Sequence, residues 1–387
     1  MSPNTNNLRN EFLLDPRITF LNHGSFGATP RRVFECYQRW QRELEYEPVE
    51  FLSRRAPELL QASRAFLADY LSTQANNLVY VQNATIGLNI VARSLDLVAG
   101  DEVLSTDHEY GALNRTWTFF AQKRGFKYIN YPVPSPVSTT DEFVEAFWNG
   151  VTPQTRVIFI SHITSPTAII FPIKELCSRA RNAGILTIID GAHVPGQIPL
   201  SLDDLGADIY CGNLHKWLCA PKGSAFLFAR PEIQPLIEPL VVSWGWQSEN
   251  PGPSPFIDYH EWAGTRDISA FLAVPEAIRF QQDFQWDEVR STCHSLASEL
   301  QQKIVAMTGI PPLHPDSPTW FAQMGAALLP DWINAKEFQS RLFSDFEIEV
   351  PITKWNDHKL IRFSIQAYNS QEDIIKLEKA LFILLSQ

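Results

Sequence analysis

From about residue 75 to 230 the chain alternates short apolar runs with amphipathic segments, and no other feature restricts its fold as strongly. L-V-Y-V-Q (78 to 82), E-V-L-S-T (102 to 106), K-Y-I-N-Y-P-V (127 to 133), R-V-I-F-I-S (156 to 161), I-L-T-I-I-D (185 to 190), D-I-Y-C-G-N (208 to 213) and A-F-L-F-A-R (225 to 230) read as strands. Between them, segments such as I-G-L-N-I-V-A-R-S-L-D-L-V and P-I-K-E-L-C-S-R-A-R-N-A-G carry apolar residues at i, i+3, i+4 and read as crossover helices. Strands that are apolar throughout need cover on both sides, and strands joined by helices run parallel. The expectation is an α/β fold: a mostly parallel, mixed central sheet with helices on both faces.

The proline-rich P-G-P-S-P-F (251 to 256) interrupts this rhythm. Beyond it come a long helical pattern from about 267 to 308, short strands near 319 to 328 and 360 to 366, and a last helix from about Gln371. This predicts an N-terminal arm (1–20) packing on a small domain, a large domain (21–255) and a smaller C-terminal α/β domain (256–387).

A net charge of −11 argues against nucleic acid as a partner, because a phosphate backbone calls for a basic surface. Five cysteines without a C-x-x-C pair point away from a zinc site, a redox motif or a disulfide framework, and no metal is expected. No run approaches the roughly 20 apolar residues that span a bilayer. The first residues lack a basic stretch followed by an apolar one, so a cytoplasmic protein without a membrane partner is expected.

In open α/β sheets, ligands bind beyond the carboxyl ends of the strands. Those ends carry Ala84 and Thr85, then His108, Glu109 and Tyr110, then Thr164, Ser165 and Thr167, then Asp190 and His193, then Asn213, His215 and Lys216. Five of these strands deliver polar or aromatic groups to one rim. Taken singly, each has a plainer reading: Asp190 and Thr85 as helix caps, His193 and His215 as structural hydrogen-bonders, Tyr110 as packing, Lys216 as a surface lysine.

G-N-L-H-K-W-L-C-A-P-K-G-S-A-F-L (212 to 227) resembles the lysine motif of the class V aminotransferase-like enzymes, which are fold type I proteins dependent on pyridoxal phosphate. I-I-D-G-A-H-V-P-G (188 to 196) resembles that family's pyridine-partner motif. I-R-F-S-I-Q-A-Y-N-S (361 to 370) resembles its carboxylate-binding arginine motif, and W-A-G-T-R-D (262 to 267) its Gly-Thr turn. L-N-H-G-S-F-G-A-T-P (21 to 30) and E-Y-E-P-V-E-F-L-S-R-R (45 to 55) are most similar to the isopenicillin N epimerase-like branch. The similarity runs in order along nearly the whole chain.

The resemblance implies roles. Lys216 tethers pyridoxal phosphate covalently and then moves protons at the substrate Cα; Asp190 keeps the pyridine nitrogen protonated. Tyr110 stacks on the ring, with His108 as the alternative one turn away. Ala84, Thr85, Asn213 and His215 hold the phosphate. Ser165, where the family commonly has asparagine, and His193 approach the ring hydroxyl. Thr265 reaches the cofactor of a neighbouring subunit, which implies a homodimer with shared active sites. Arg362 clamps the carboxylate of a small amino-acid or peptide-like substrate, with Asn22 and His23 beside it.

Removal of the Cα proton can lead to epimerisation, transamination or β-elimination. An epimerase-like reaction is expected, with His23, Tyr110 or a partner residue as the second acid–base group opposite Lys216. C–S or C–N lyase and aminotransferase are the alternatives, and a non-catalytic scaffold that binds pyridoxal phosphate is the alternative of another class. Relatives that act as desulfurases carry a cysteine shortly before the arginine motif. Here E-I-E-V-P-I-T-K-W-N-D-H-K-L (347 to 360) has none, which disfavours persulfide chemistry. The tryptophans of V-V-S-W-G-W-Q (241 to 247) read as packing in a linker or as the lining of the substrate entrance.

Overall fold

A computed structural model describes residues 8–386. The chain first lays down a two-residue strand, β1 (Thr19–Phe20). Seven strands follow: β2 (Leu78–Val81), β3 (Glu102–Thr106), β4 (Lys127–Tyr131), β5 (Thr155–Ser161), β6 (Leu186–Asp190), β7 (Ile209–Asn213) and β8 (Ala225–Ala229). These seven form one sheet in the order β2-β8-β7-β6-β5-β3-β4. The pairs from β7 through β4 are parallel, and β8 runs antiparallel to both β7 and β2.

Alternate residues of each strand enter opposite cores, which explains the unbroken apolar runs. Val79, Val157, Phe159 and Cys211 pack beneath the helices Ala84–Ser94 and Gly111–Arg124, whereas Tyr80, Ile158, Ile160 and Tyr210 join the other core with Phe143 and Leu176. Both faces of the sheet are thereby buried.

The C-terminal part holds β9 (Met324–Leu329), β10 (Ile348–Glu349), β11 (Ile352–Trp355) and β12 (His358–Ser364). Strands β11, β12 and β9 make an antiparallel sheet in that order, and β10 pairs in parallel with β1. Leu8 donates its N–H to the carbonyl of Ala367, and Phe12 packs edge-on against Tyr368, so residues 8–20 lie on this part. Residues 1–7 of the expected arm lie outside the described residues.

The expected domain boundary at 256 needs correction. Helix Pro255–Glu261 packs on β2, and helices Ser269–Leu272 and Val274–Asp283 pack on Arg31–Tyr46 and Ala56–Tyr70 of the large layer. The small sheet is first met by helix Trp286–Thr308, which lies on β9. The long helical pattern is thus three helices serving two layers, a division that periodicity does not show. Helix Ala335–Phe346 and the short β10 and β11 escaped the sequence reading. Among the described residues no helix is long and apolar enough to cross a membrane.

Candidate active site

A cavity of about 610 Å³ opens at the carboxyl ends of the parallel strands. Lys216, Asp190, His193, Asn213, His215 and Tyr110 all line it, together with Ala84, Thr85, Ser165 and, from the N-terminal loop, Ser25.

Lys216 lies on the loop after β7. Its amine is pushed down to about 7, chiefly by burial and further by the charge of Arg362, with Asp190 acting the other way. Its Nζ lies 3.1 Å from Nε2 of His193, whose Nδ1 accepts the indole N–H of Trp217 at 3.3 Å. Asp190 ends β6, and burial raises its carboxyl to about 6 against the opposing hydrogen bond from Ala192 N–H at 2.9 Å. That single bond to a residue two positions on is a local turn contact and leaves the carboxylate facing the cavity.

Asn83 is the cap of helix Ala84–Ser94: its Oδ1 accepts from Ile86 N–H at 2.9 Å. Thr85 is therefore spared capping duty, and as the second helical residue its N–H has no intrahelical carbonyl to meet. Ala84 departs from expectation. Its N–H donates to Oδ1 of Asn213 at 2.9 Å, so this amide braces β7 against the helix. The same bond orients the Asn213 amide and leaves its NH₂ as a donor. His215 donates Nδ1–H to the carbonyl of Ser224 at 2.9 Å, and burial holds its ring at about 4.

Tyr110 stands at the start of helix Gly111–Arg124, partly exposed to the cavity. His108 is not an alternative to it: the ring is buried, bonded through Nδ1 to Thr167 Oγ1 at 2.8 Å and packed 4.3 Å from Trp355. Glu109, to which sequence reasoning gave no role, is a buried carboxyl raised to about 7 by desolvation. It accepts from Thr106 Oγ1 at 2.6 Å and from the N–H and hydroxyl of Ser161 at 2.9 and 2.5 Å, tying the Tyr110 turn to β5.

The N-terminal loop brings a further correction. His23 is fully buried, with Nε2 on the carbonyl oxygen of Lys216 at 2.9 Å and Nδ1 on the Tyr368 hydroxyl at 3.0 Å. Burial lowers it to about 3, so both nitrogens of a neutral ring are engaged and neither faces the cavity. Asn22 likewise stands behind the wall, bonded to Glu349 and Ser25. Ser25 is the loop residue that reaches the cavity. Gly27 makes this path possible: its φ is +72°, and a Cβ there would collide with the His215 carbonyl oxygen.

Arg362, on β12, is 6% exposed. Its Nη1 donates to the Ser165 carbonyl oxygen at 2.7 Å and hydroxyl at 3.2 Å, and Nη2 donates to Ser25 Oγ at 3.0 Å. Ser165 thus turns its hydroxyl to Arg362. Thr265 is exposed and lies apart from this cavity. Trp244 is 85% exposed, which overturns the packed-linker reading of its segment; it lines a separate cavity of about 540 Å³ with Leu52, Pro57 and Trp262. All five cysteines are free and buried.

Residues 28–325 match the family description Aminotransferase class-V. The chain belongs to the class V aminotransferase family. It is 36% identical to an isopenicillin N epimerase of Amycolatopsis lactamdurans over 97% of each chain. It is 30% identical to a putative L-cysteine desulfhydrase of Oryza sativa subsp. japonica, over 94% of this chain and 82% of that one. Among solved structures, a mutant of C-DES with glycine covalently linked to its PLP cofactor superposes with a TM-score of 0.85 at 21% identity, covering 97% of this chain and 98% of that one. This places the architecture as the fold type I arrangement.

Pyridoxal phosphate is the cofactor of this family. The class V site residues fit it on structural grounds: a buried lysine amine near neutrality, a buried carboxyl with little hydrogen-bonded compensation, and a helix N-terminus flanked by Asn213 and His215 share one cavity.

Proposed function

We propose that this enzyme removes the Cα proton of an amino acid or peptide-like amine on one face and delivers a solvent-derived proton to the opposite face, an epimerase-type reaction. Lys216, lining the cavity with Asp190 and His193 and with its amine lowered by burial to about 7, carries the proton-removal part of this reading, because a free amine serves both as nucleophile and as proton acceptor. Pyridoxal phosphate, when bound, supplies an aldehyde that captures amines and a ring that delocalises the electron pair left at Cα. Asp190 would face the ring nitrogen, and the Thr85 N–H and hydroxyl with the Asn213 NH₂ would meet the phosphate. His215 would donate from Nε2 once an anion beside it favours the imidazolium.

With His23 engaged behind the wall, Tyr110, which lines the same cavity as Lys216, is the remaining candidate of this chain for the second acid–base group. Arg362 supplies the guanidinium for the substrate carboxylate, steadied by Ser165. The similarity to the isopenicillin N epimerases favours epimerisation and makes isopenicillin N a candidate substrate. The similarity to desulfhydrases supports β-elimination as the second reading. Burial of every cysteine weighs against a persulfide-forming desulfurase.

A homodimer with shared active sites also belongs to this proposal. The exposed Val241, Val242, Trp244 and Trp246 form an apolar stretch close in sequence to Thr265, which a second copy would cover while bringing Thr265 to the first copy's cofactor.

Incubation of the loaded enzyme with isopenicillin N and a panel of amino acids in deuterated water tests the reaction. Solvent deuterium at Cα with loss of chirality supports epimerisation; pyruvate with sulfide or ammonia sinks it in favour of elimination. No spectral change across an amine panel favours the non-catalytic scaffold.

A further inference from the structure

Arg362 adjoins the cavity through Ser25 and Ser165, which line it and to which its guanidinium is bonded. A run of hydrogen bonds leads away from it. Glu349, on β10, accepts from Asn22 Nδ2–H at 3.0 Å, and this turns the Asn22 carbonyl oxygen toward Ser25. Ser25 donates its hydroxyl proton to that oxygen at 2.5 Å. A hydroxyl has one proton, so Ser25 Oγ is left as an acceptor, and Arg362 Nη2–H fills it.

Each bond in the series Arg362 to Ser25 to Asn22 to Glu349 points the same way, from a guanidinium to a carboxylate, the arrangement in which neighbouring bonds polarise one another. The loop that carries Ser25 is also held independently of this series. Gly24 N–H donates to Ser364 Oγ at 3.1 Å, and His23 is bonded on both sides. The buried Nε–H of Arg362 has no partner among the described residues.

We infer that Ser25 is a positioning residue for Arg362: oriented by Asn22 and Glu349, it holds the guanidinium in the attitude that receives the substrate carboxylate. This rests on the reading of Arg362 as the carboxylate clamp. Ser165 holds one edge of the fork and Ser25 the other, so the loss of Ser25 frees the guanidinium to rotate without removing its charge.

The test uses the enzyme loaded with pyridoxal phosphate, titrated with L-amino acids and with the amine that each gives on decarboxylation, binding being followed by the cofactor absorbance. Ser25→Ala and Asn22→Ala are expected to lower the preference for amino acid over amine by about tenfold, the effect of one charge-assisted hydrogen bond, with amine affinity and the resting spectrum unchanged. Glu349→Gln, which keeps a carbonyl acceptor for Asn22, is expected to retain the preference. An unchanged preference in Ser25→Ala, or equal loss of affinity for amine and amino acid, overturns the assignment of Ser25 alone. A wild-type enzyme that prefers no amino acid over its amine overturns the Arg362 reading, and the inference with it. If Ser25→Ala does not hold cofactor, the Asn22→Ala and Glu349→Gln pair decides: equal preference in the two is the overturning result.

Discussion

The indole Nε1–H of Trp217 donates to Nδ1 of His193 at 3.3 Å, so the proton of the neutral imidazole sits on Nε2, 3.1 Å from the Lys216 amine. A lysine ammonium there would meet another donor, whereas a free amine accepts. Burial is the leading cause of the low Lys216 pKa, and this geometry works in the same direction.

Trp217→Phe removes the indole donor and lets His193 place its proton on Nδ1, turning a lone pair to the ammonium. Cofactor capture by the apo-protein needs the free amine, so in wild type its rate should climb with pH through about 7. In the variant the midpoint should move up by about one pH unit. An unchanged midpoint removes Trp217 from the control of Lys216.

Tyr110→Phe separates proton removal from inversion. With Lys216 intact, exchange of the Cα proton for solvent deuterium should continue, while the rate of inversion should fall by about 10²-fold or more, the usual worth of a positioned acid–base group. Polarimetry and mass spectrometry on the same reaction measure both. Equal loss of both would reassign Tyr110 to holding the cofactor.

Arg362→Lys keeps a positive charge and loses the planar fork. KM for amino-acid substrates should rise by about tenfold to a hundredfold, with the cofactor absorbance retained. A KM within twofold of wild type takes position 362 out of substrate binding.

The apo-protein should lose stability between pH 7 and pH 5. His108, His162, His215 and His260 are held at about 4, and His23 at about 3, by burial. A base whose folded pKa is depressed stabilises the fold above its unfolded value, near 6.5, and that stability is lost as pH falls toward the folded value. Glu109 and Asp190 oppose this, because carboxyls raised to about 7 and 6 stabilise most at low pH and lose that contribution as pH rises through those values. The histidines outnumber them, so calorimetry should record a Tm lower at pH 5 than at pH 7 by several degrees. In Glu109→Gln the acidic fall should steepen, since one opposing group is gone; a slope equal to wild type would show that Glu109 is ionised throughout.

The sequence by itself determined the central sheet, because strands covered on both faces read as mostly apolar runs, and the seven runs named from it begin and end within two residues of β2 through β8. It also determined which side chains reach one rim, since the carboxyl ends of parallel strands converge there whatever the loops do. Lys216, Asp190, Asn213 and Tyr110 were legible on that ground and through the family resemblance. What the tertiary structure decided is the direction of each polar group. His23 and Ser25 are two residues apart in one quoted motif, yet the first is buried against Tyr368 and the Lys216 carbonyl and the second opens on the cavity. Glu109 and Tyr110 are neighbours, and one turns into the core while the other faces the cavity. Spacing along the chain carries no record of these choices, because each was made by a partner more than fifty residues away: Ser161 for Glu109, Glu349 for Asn22, Tyr368 for His23.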